Sequence, residues 1–203
     1  MKKLILSAAA VFALTFANAQ EGEPTFGFSE GNIIIEGNIG FNSTNDKNTE
    51  VKTSSFDFNP KAGYFISDDL AIGLELNLGT AKTEAGGGET KENMFGIGAF
   101  ARYYFLDLGA RFKTYGEFGL GFASYKEEMG GFEAKASGFG AGVGLGMNYF
   151  VTENFAINFG LSDILSYTSV KPEDGEAISE FNGNINVFDN FFTTAQFGLT
   201  YKF

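Results

Sequence analysis

The feature that most limits what this chain can become is a period-two alternation of apolar and polar residues that returns in eight segments between residues 33 and 203. Successive side chains of a β-strand point to opposite faces, so each such segment carries two distinct faces. In residues 70–79, Leu70, Ile72, Leu74, Leu76 and Leu78 share one face, and Ala71, Gly73, Glu75, Asn77 and Gly79 share the other. In residues 138–149, Phe139, Ala141, Val143, Leu145, Met147 and Tyr149 oppose an unbroken file of Gly138, Gly140, Gly142, Gly144 and Gly146. Residues 33–42, 56–66, 95–105, 117–122, 155–161 and 191–203 follow the same scheme.

The connections carry a second pattern. Links near 67–69, 107–111 and 152–154 are short, whereas polar stretches near 43–53, 82–92, 127–136 and 168–187 are long. Strict alternation of short and long is the arrangement of membrane barrels, with tight turns on one side and loops on the other. About ten residues suffice for a tilted strand to cross a bilayer. The apolar face is free of charge across its middle and aromatic at its ends. Tyr64, Tyr103, Phe105, Tyr149, Phe155, Tyr201 and Phe203 fall on the turn side, and Phe41, Phe56, Phe95, Phe122, Phe139 and Phe191 on the loop side. Two aromatic girdles around an apolar band point to lipid outside the barrel. The expected fold is all-β, an eight-stranded antiparallel up-and-down transmembrane β-barrel.

The start of the chain sets the expected route. Lys2 and Lys3 precede a mostly apolar stretch from Leu4 to Phe16, and Ala17-Asn18-Ala19 is a small-x-small cleavage site. Residues 1–19 therefore read as a signal peptide cut between Ala19 and Gln20, with residues 20–203 forming the barrel domain. The later chain contains no apolar run approaching the ~18 residues of a spanning helix. Cysteine is absent, which removes disulfides and a lipidated N-terminal Cys.

The terminal run Phe197-Gly-Leu-Thr-Tyr-Lys-Phe203 alternates Phe197, Leu199, Tyr201 and Phe203 and ends on an aromatic residue. With it go Gly63-Tyr-Phe-Ile-Ser-Asp-Asp-Leu-Ala-Ile-Gly-Leu74 and Phe100-Ala-Arg-Tyr-Tyr-Phe105. On these stretches the chain resembles the small outer-membrane β-barrel proteins grouped as OmpA-, OmpX- or OmpW-like, the "porin family" of Bacteroidota. The resemblance implies an outer-membrane location in a Gram-negative cell envelope. It also implies that Phe197, Leu199, Tyr201 and Phe203 are read by the barrel-assembly machinery during biogenesis.

Inside the expected barrel stand six charges, Glu36, Lys61, Glu75, Arg102, Glu117 and Lys202. Turns centred near Asp68 and Gly109 set Lys61 opposite Glu75 and Arg102 close to Glu117. Charges removed from water need partners, so the set reads either as an internal ion-pair core that locks a narrow barrel or as a charged constriction in a pore. Eight strands enclose about the volume that side chains fill. The file of Gly138, Gly140, Gly142, Gly144 and Gly146 makes room for Phe65, Phe100, Tyr104, Tyr115 or Phe150, or else leaves a lumen crevice for a small apolar ligand, which the OmpW resemblance allows.

The chain has no histidine, so the usual base near neutral pH and Ser-His catalysis are absent. No enzyme, catalytic residue, metal or cofactor is expected. Removing Lys2 and Lys3 takes the net charge from −11 to −13, which argues against nucleic acid as a partner. The expected surroundings are outer-membrane lipid and lipopolysaccharide, with any extracellular partner of the acidic loops unknown. The expected function is a structural or surface role for a closed or nearly closed barrel. The alternative is a narrow porin or OmpW-like channel for small apolar or ionic solutes.

Overall fold

The computed structural model describes residues 25–183 and 196–203. The expected signal peptide with its Ala19/Gln20 cleavage, and Phe191 at the start of the last expected strand, lie outside the described residues. Nine strand segments follow in order: β1 (Ile33–Asp46), β2 (Val51–Phe65), β3 (Leu70–Ala85), β4 (Gly88–Leu108), β5 (Phe112–Met129), β6 (Phe132–Phe150), β7 (Phe155–Pro172), β8 (Ile178–Gly183) and β9 (Gln196–Lys202). Each of β1 to β7 pairs with the next, antiparallel throughout. Both β8 and β9 pair with β7, so they are two parts of one eighth stave. Pairing of β9 with β1, from Ile34↔Lys202 to Gly37↔Leu199, closes the barrel.

The alternation sets the two faces as expected. Outward residues such as Ile39, Phe41, Leu74, Phe95, Phe122 and Phe197 are exposed, Phe41 to 86%. Ile34, Phe65, Phe100, Tyr104, Tyr115 and Phe150 are buried in the interior. Two pairings depart from strict register, β4–β5 between Tyr104 and Leu106 and, with more effect on the lumen, β6–β7. Register shifts in the β6–β7 pairing, between Val143/Gly144 and Leu145/Gly146, leave β7 with extra residues past Gly160. Asp163 thereby pairs with inward-facing Gly144, where an unbroken period would set it on the outward face with Phe155, Ile157 and Phe159.

The long polar connections expected outside are, for the most part, strand. β3 and β4 pair to Ala85↔Gly88, and β5 and β6 to Met129↔Phe132. Gly86-Gly87 and Gly130-Gly131 form tight two-residue turns with φ of 58° and 79°, and 58° and 88°. Positive φ at both central positions is the type I′ hairpin geometry, whose twist matches the flanking strands. A polar strand in water satisfies its backbone through the ladder and needs no apolar face, so hydropathy alone hides it. The described outer connections are 47–50, 86–87, 130–131 and 173–177.

The other end is corked. Residues 25–32 fold into the turn-side mouth, where Phe28 stacks on Phe65 with centroids 4.4 Å apart and meets Tyr104 at 4.7 Å and Phe150 at 5.1 Å. The Gly31 N–H donates to the Phe65 carbonyl at 2.9 Å, and the Phe65 N–H donates to the Asn32 carbonyl at 2.9 Å. Arg111 caps the segment with its guanidinium 4.3 Å from the Phe26 ring centroid.

Candidate functional site

Every stave of the barrel contributes a side chain to one polar network just above the aromatic cork. Arg102 on β4 is its centre and is 1% exposed. Its Nη1 and Nη2 donate to the two carboxylate oxygens of Glu36 on β1, each at 2.8 Å. Its Nε donates to Glu117 Oε2 on β5 at 2.7 Å. Lys61 on β2 closes the other side, with Nζ 2.6 Å from Glu117 Oε1 and 2.8 Å from Glu75 Oε2 on β3. The planar guanidinium fork matches a carboxylate bidentately, which fixes geometry as well as energy.

Neutral groups satisfy what the charges leave over. Thr200 Oγ1 on β9 donates to Glu36 Oε2 at 2.8 Å, and Asn158 Nδ2 on β7 donates to the same oxygen at 3.1 Å and to Tyr115 Oη at 2.9 Å. Asn148 Nδ2 on β6 donates to Thr200 Oγ1 at 3.0 Å, and Tyr104 Oη donates to Asn148 Oδ1 at 2.8 Å. The guanidinium also lies over the Tyr115 ring, 4.0 Å from its centroid, and Phe100 faces both Arg102 and Lys61 from 5.5 and 5.3 Å. Cations held between ring faces and carboxylates are satisfied on all sides.

Five of the six charges proposed from sequence, Glu36, Lys61, Glu75, Arg102 and Glu117, thus meet in one cluster, with Lys61↔Glu75 and Arg102↔Glu117 as direct cross-strand pairs. Lys202 does not join them. It lies at the mouth and donates from Nζ to the Gly27 carbonyl at 2.8 Å, below the Phe150 ring. A Lys beside the last turn reaches the cork more easily than the barrel centre. Sequence reasoning missed Asn148, Asn158 and Thr200, since a lone amide or hydroxyl in an alternating strand looks like any solvent-facing residue. It also missed Asp163, which lines a cavity of about 190 Å³ above the network together with Glu36, Lys61, Arg102, Glu117 and Gly144.

The glycine file divides along its length. A Cβ on Gly146 would collide with the Tyr115 ring, so this end makes room for packing. Gly138, Gly140 and Gly142 instead line a cavity of about 410 Å³ in the loop-side lumen, with Asn77, Met94, Tyr125, Thr168 and Val170 among its other walls. Of the terminal apolar residues, Phe197, Leu199 and Phe203 are exposed on the outer face.

The outer face decides the environment. Ile39, Leu74, Phe95, Ile97, Phe122 and Leu199 form part of a continuous belt of exposed apolar residues around the middle of the barrel, with the charges of this level turned inward. Such a surface is stable only against lipid. Residues 6–203 match the family described as outer membrane protein beta-barrel domain. The chain belongs to that family. It is an integral protein of the outer membrane.

Solved structures agree on the fold. The outer membrane protein OprG from Pseudomonas aeruginosa superposes with a TM-score of 0.53 at 14% identity, covering 87% of this chain and 98% of OprG. Neisserial surface protein A (NspA) gives 0.50 at 22% identity, covering 85% of this chain and 96% of NspA. At these identities the likeness concerns architecture. No curated protein matches the chain. Among the described residues no cluster of three metal-ligating side chains occurs.

Proposed function

We propose that this protein is a closed barrel with a structural and surface role, sealed on the turn side and presenting rigid hairpins outside. The observation that carries this reading is Arg102, whose guanidinium bridges Glu36 on β1 and Glu117 on β5 and so ties opposite walls of the lumen together. Beneath it the Phe28 cork fills the mouth. Eight staves leave an interior of about side-chain volume, and here the side chains are bonded to one another. The reading assigns the barrel no catalytic chemistry and takes Gln20 as the first residue of the mature chain. Assembly through the terminal Phe197, Leu199, Tyr201 and Phe203 belongs to the same reading.

Conductance in planar bilayers tests it, after heat-modifiable gel migration has established a folded barrel. A sealed barrel gives no stable openings. Steady openings that scale with salt overturn the closed reading and favour the second one, a narrow channel, for which the cavity of about 410 Å³ would be the outer vestibule.

A further inference from the structure

On six consecutive staves the outward face carries the same ending. Counting away from the membrane, a Lys follows four residues after the last large apolar residue, and a Glu stands two residues beyond the Lys. The series is Phe56-Lys52-Glu50, Leu78-Lys82-Glu84, Phe95-Lys91-Glu89, Phe122-Lys126-Glu128, Phe139-Lys135-Glu133 and Tyr167-Lys171-Glu173, with Glu50 and Glu173 standing just past their strand ends in the adjoining connections. The register places these lysines on the lipid-side phase of β2 to β7, beyond the outer aromatic girdle. Four residues of strand rise about 13 Å, less along the membrane normal once tilted, which brings the lysines to headgroup depth.

Ion pairing alone does not account for this order. Lys82 pairs with Glu84 and Glu89 at 2.8 and 2.7 Å, and Lys126 with Glu128 and Glu133 at 2.8 Å each. Such pairs form equally well with either sign nearer the membrane, yet Lys is the inner member on all six staves. Within the β3–β4 and β5–β6 hairpins the order also sets like charges directly opposite one another, Lys82↔Lys91, Glu84↔Glu89, Lys126↔Lys135 and Glu128↔Glu133, whereas between hairpins Lys52 faces Glu84 and Lys91 faces Glu128. Like charges directly opposite destabilise a strand pair. A layered surroundings explains both facts: anions at the inner level and water with its cations at the outer one.

We propose that Lys52, Lys82, Lys91, Lys126, Lys135 and Lys171 form a collar that binds the phosphate groups of outer-leaflet lipid and sets the depth of the barrel. The glutamate row above keeps the collar from attracting anions from bulk water and holds the lysine stems in place. The collar acts on the outside of the barrel, so it operates whether or not the lumen conducts.

The test compares two variants of the protein purified from outer membranes in detergent. One carries Lys82→Gln, Lys91→Gln, Lys126→Gln and Lys135→Gln, and the other carries Glu84→Gln, Glu89→Gln, Glu128→Gln and Glu133→Gln. Both break the same six ion pairs of the β3–β4 and β5–β6 hairpins, and the glutamate variant also breaks the longer Lys52–Glu84 pair at 3.8 Å. Gel migration with and without heating establishes that each is folded. Retention of added lipopolysaccharide is then measured per barrel, intact and after enzymatic dephosphorylation. The lysine variant is expected to retain at least roughly tenfold less than the parent, given the attraction of each basic residue to an anionic surface, and the glutamate variant at least as much as the parent. Dephosphorylation should bring the parent down to the lysine variant. Equal loss in both variants means that the collar is only an ion-pair brace, and unchanged binding after dephosphorylation means that the phosphates are not recognised; either result overturns the proposal.

Discussion

The two halves of this barrel solve opposite problems with one strand pattern. Near the turns the interior is filled: Phe28, Phe65, Tyr104 and Phe150 pack at the mouth, and Arg102, Glu36, Glu117 and Lys61 bond across the lumen above them. Near the hairpin tips the interior is lined by glycines around a cavity, and the charges lie outside, as in Lys82, Glu84, Glu89 and Lys91. In the first half each charge is removed from water and needs several fixed partners. In the second the charges are solvated and each pair contributes little to stability. Rigidity is therefore expected to concentrate below the network, while the tips depend on backbone ladders and type I′ turns.

The comparison breaks most sharply at Arg102. Arg102→Ala strands Glu36 in the interior and leaves Glu117 with Lys61 alone, and should cost ~3–5 kcal/mol, read as a lowered midpoint in urea unfolding followed by heat-modifiable migration. Lys82→Ala at a tip should change the same midpoint by less than about 1 kcal/mol. If the two variants unfold alike, the division into a locked half and a solvated half is wrong.

Next in size is the cork. Phe28→Ala removes a ring packed on three others and should cost ~3 kcal/mol, and a glutamate-specific protease, which can cut after Glu30, should reach the segment before β1 sooner than in the parent. An unchanged digestion pattern would mean that residues 25–32 do not hold the mouth. The glycine file gives a graded case. Gly146→Ala meets the Tyr115 ring and should destabilise by ~1–3 kcal/mol. Gly119→Ala on β5 meets nothing within 4 Å and should lie within about 0.5 kcal/mol of the parent. Equal effects would remove the distinction between the packed and open parts of the lumen.

The smallest expected effect is a pH response confined to the tips. Hydrogen bonds from Lys126 and Lys135 hold the Glu133 carboxyl down at about 2. Glu84 and Glu89 are lowered for the same reason, by Lys82 and, for Glu89, also by Lys91. A lowered carboxylate contributes its stability above its unfolded value near 4.5 and loses it as the pH falls through the folded one. Amide exchange at the β5–β6 tip should therefore quicken, relative to its intrinsic rate, between about pH 4.5 and 2, with the strands below Glu117 unaffected. A response spread over the whole barrel would contradict that locality.

The fold was legible because burial writes a period of two. Leu70, Ile72, Leu74, Leu76 and Leu78 against Ala71, Gly73, Glu75, Asn77 and Gly79 state both faces of β3 without reference to any other strand. The turn positions 67–69 and 107–111 then pin the registers, so Lys61↔Glu75 and Arg102↔Glu117 follow from local counting. Other features depend on contacts that no local count contains. The bidentate grip of Arg102 on Glu36 spans 66 residues, and Thr200 reaches Glu36 across 164. The cork of Phe28, the displacement of Lys202 to the mouth and the inward turn of Asp163 after the shifts in β7 are of the same kind. The long outer hairpins were hidden for a different reason, since a polar strand in water has no apolar face to betray it.

What the sequence by itself determined is the list of faces: which residues meet lipid, which meet the lumen, and where Lys and Glu end six of the staves. Those are properties of one strand and its two-residue repeat. Only the tertiary structure decided which lumen residues touch. Closing eight staves brings β1, β5, β7 and β9 within hydrogen-bond reach of one guanidinium and its partners. That reach depends on tilt, register and bulges summed around the whole barrel.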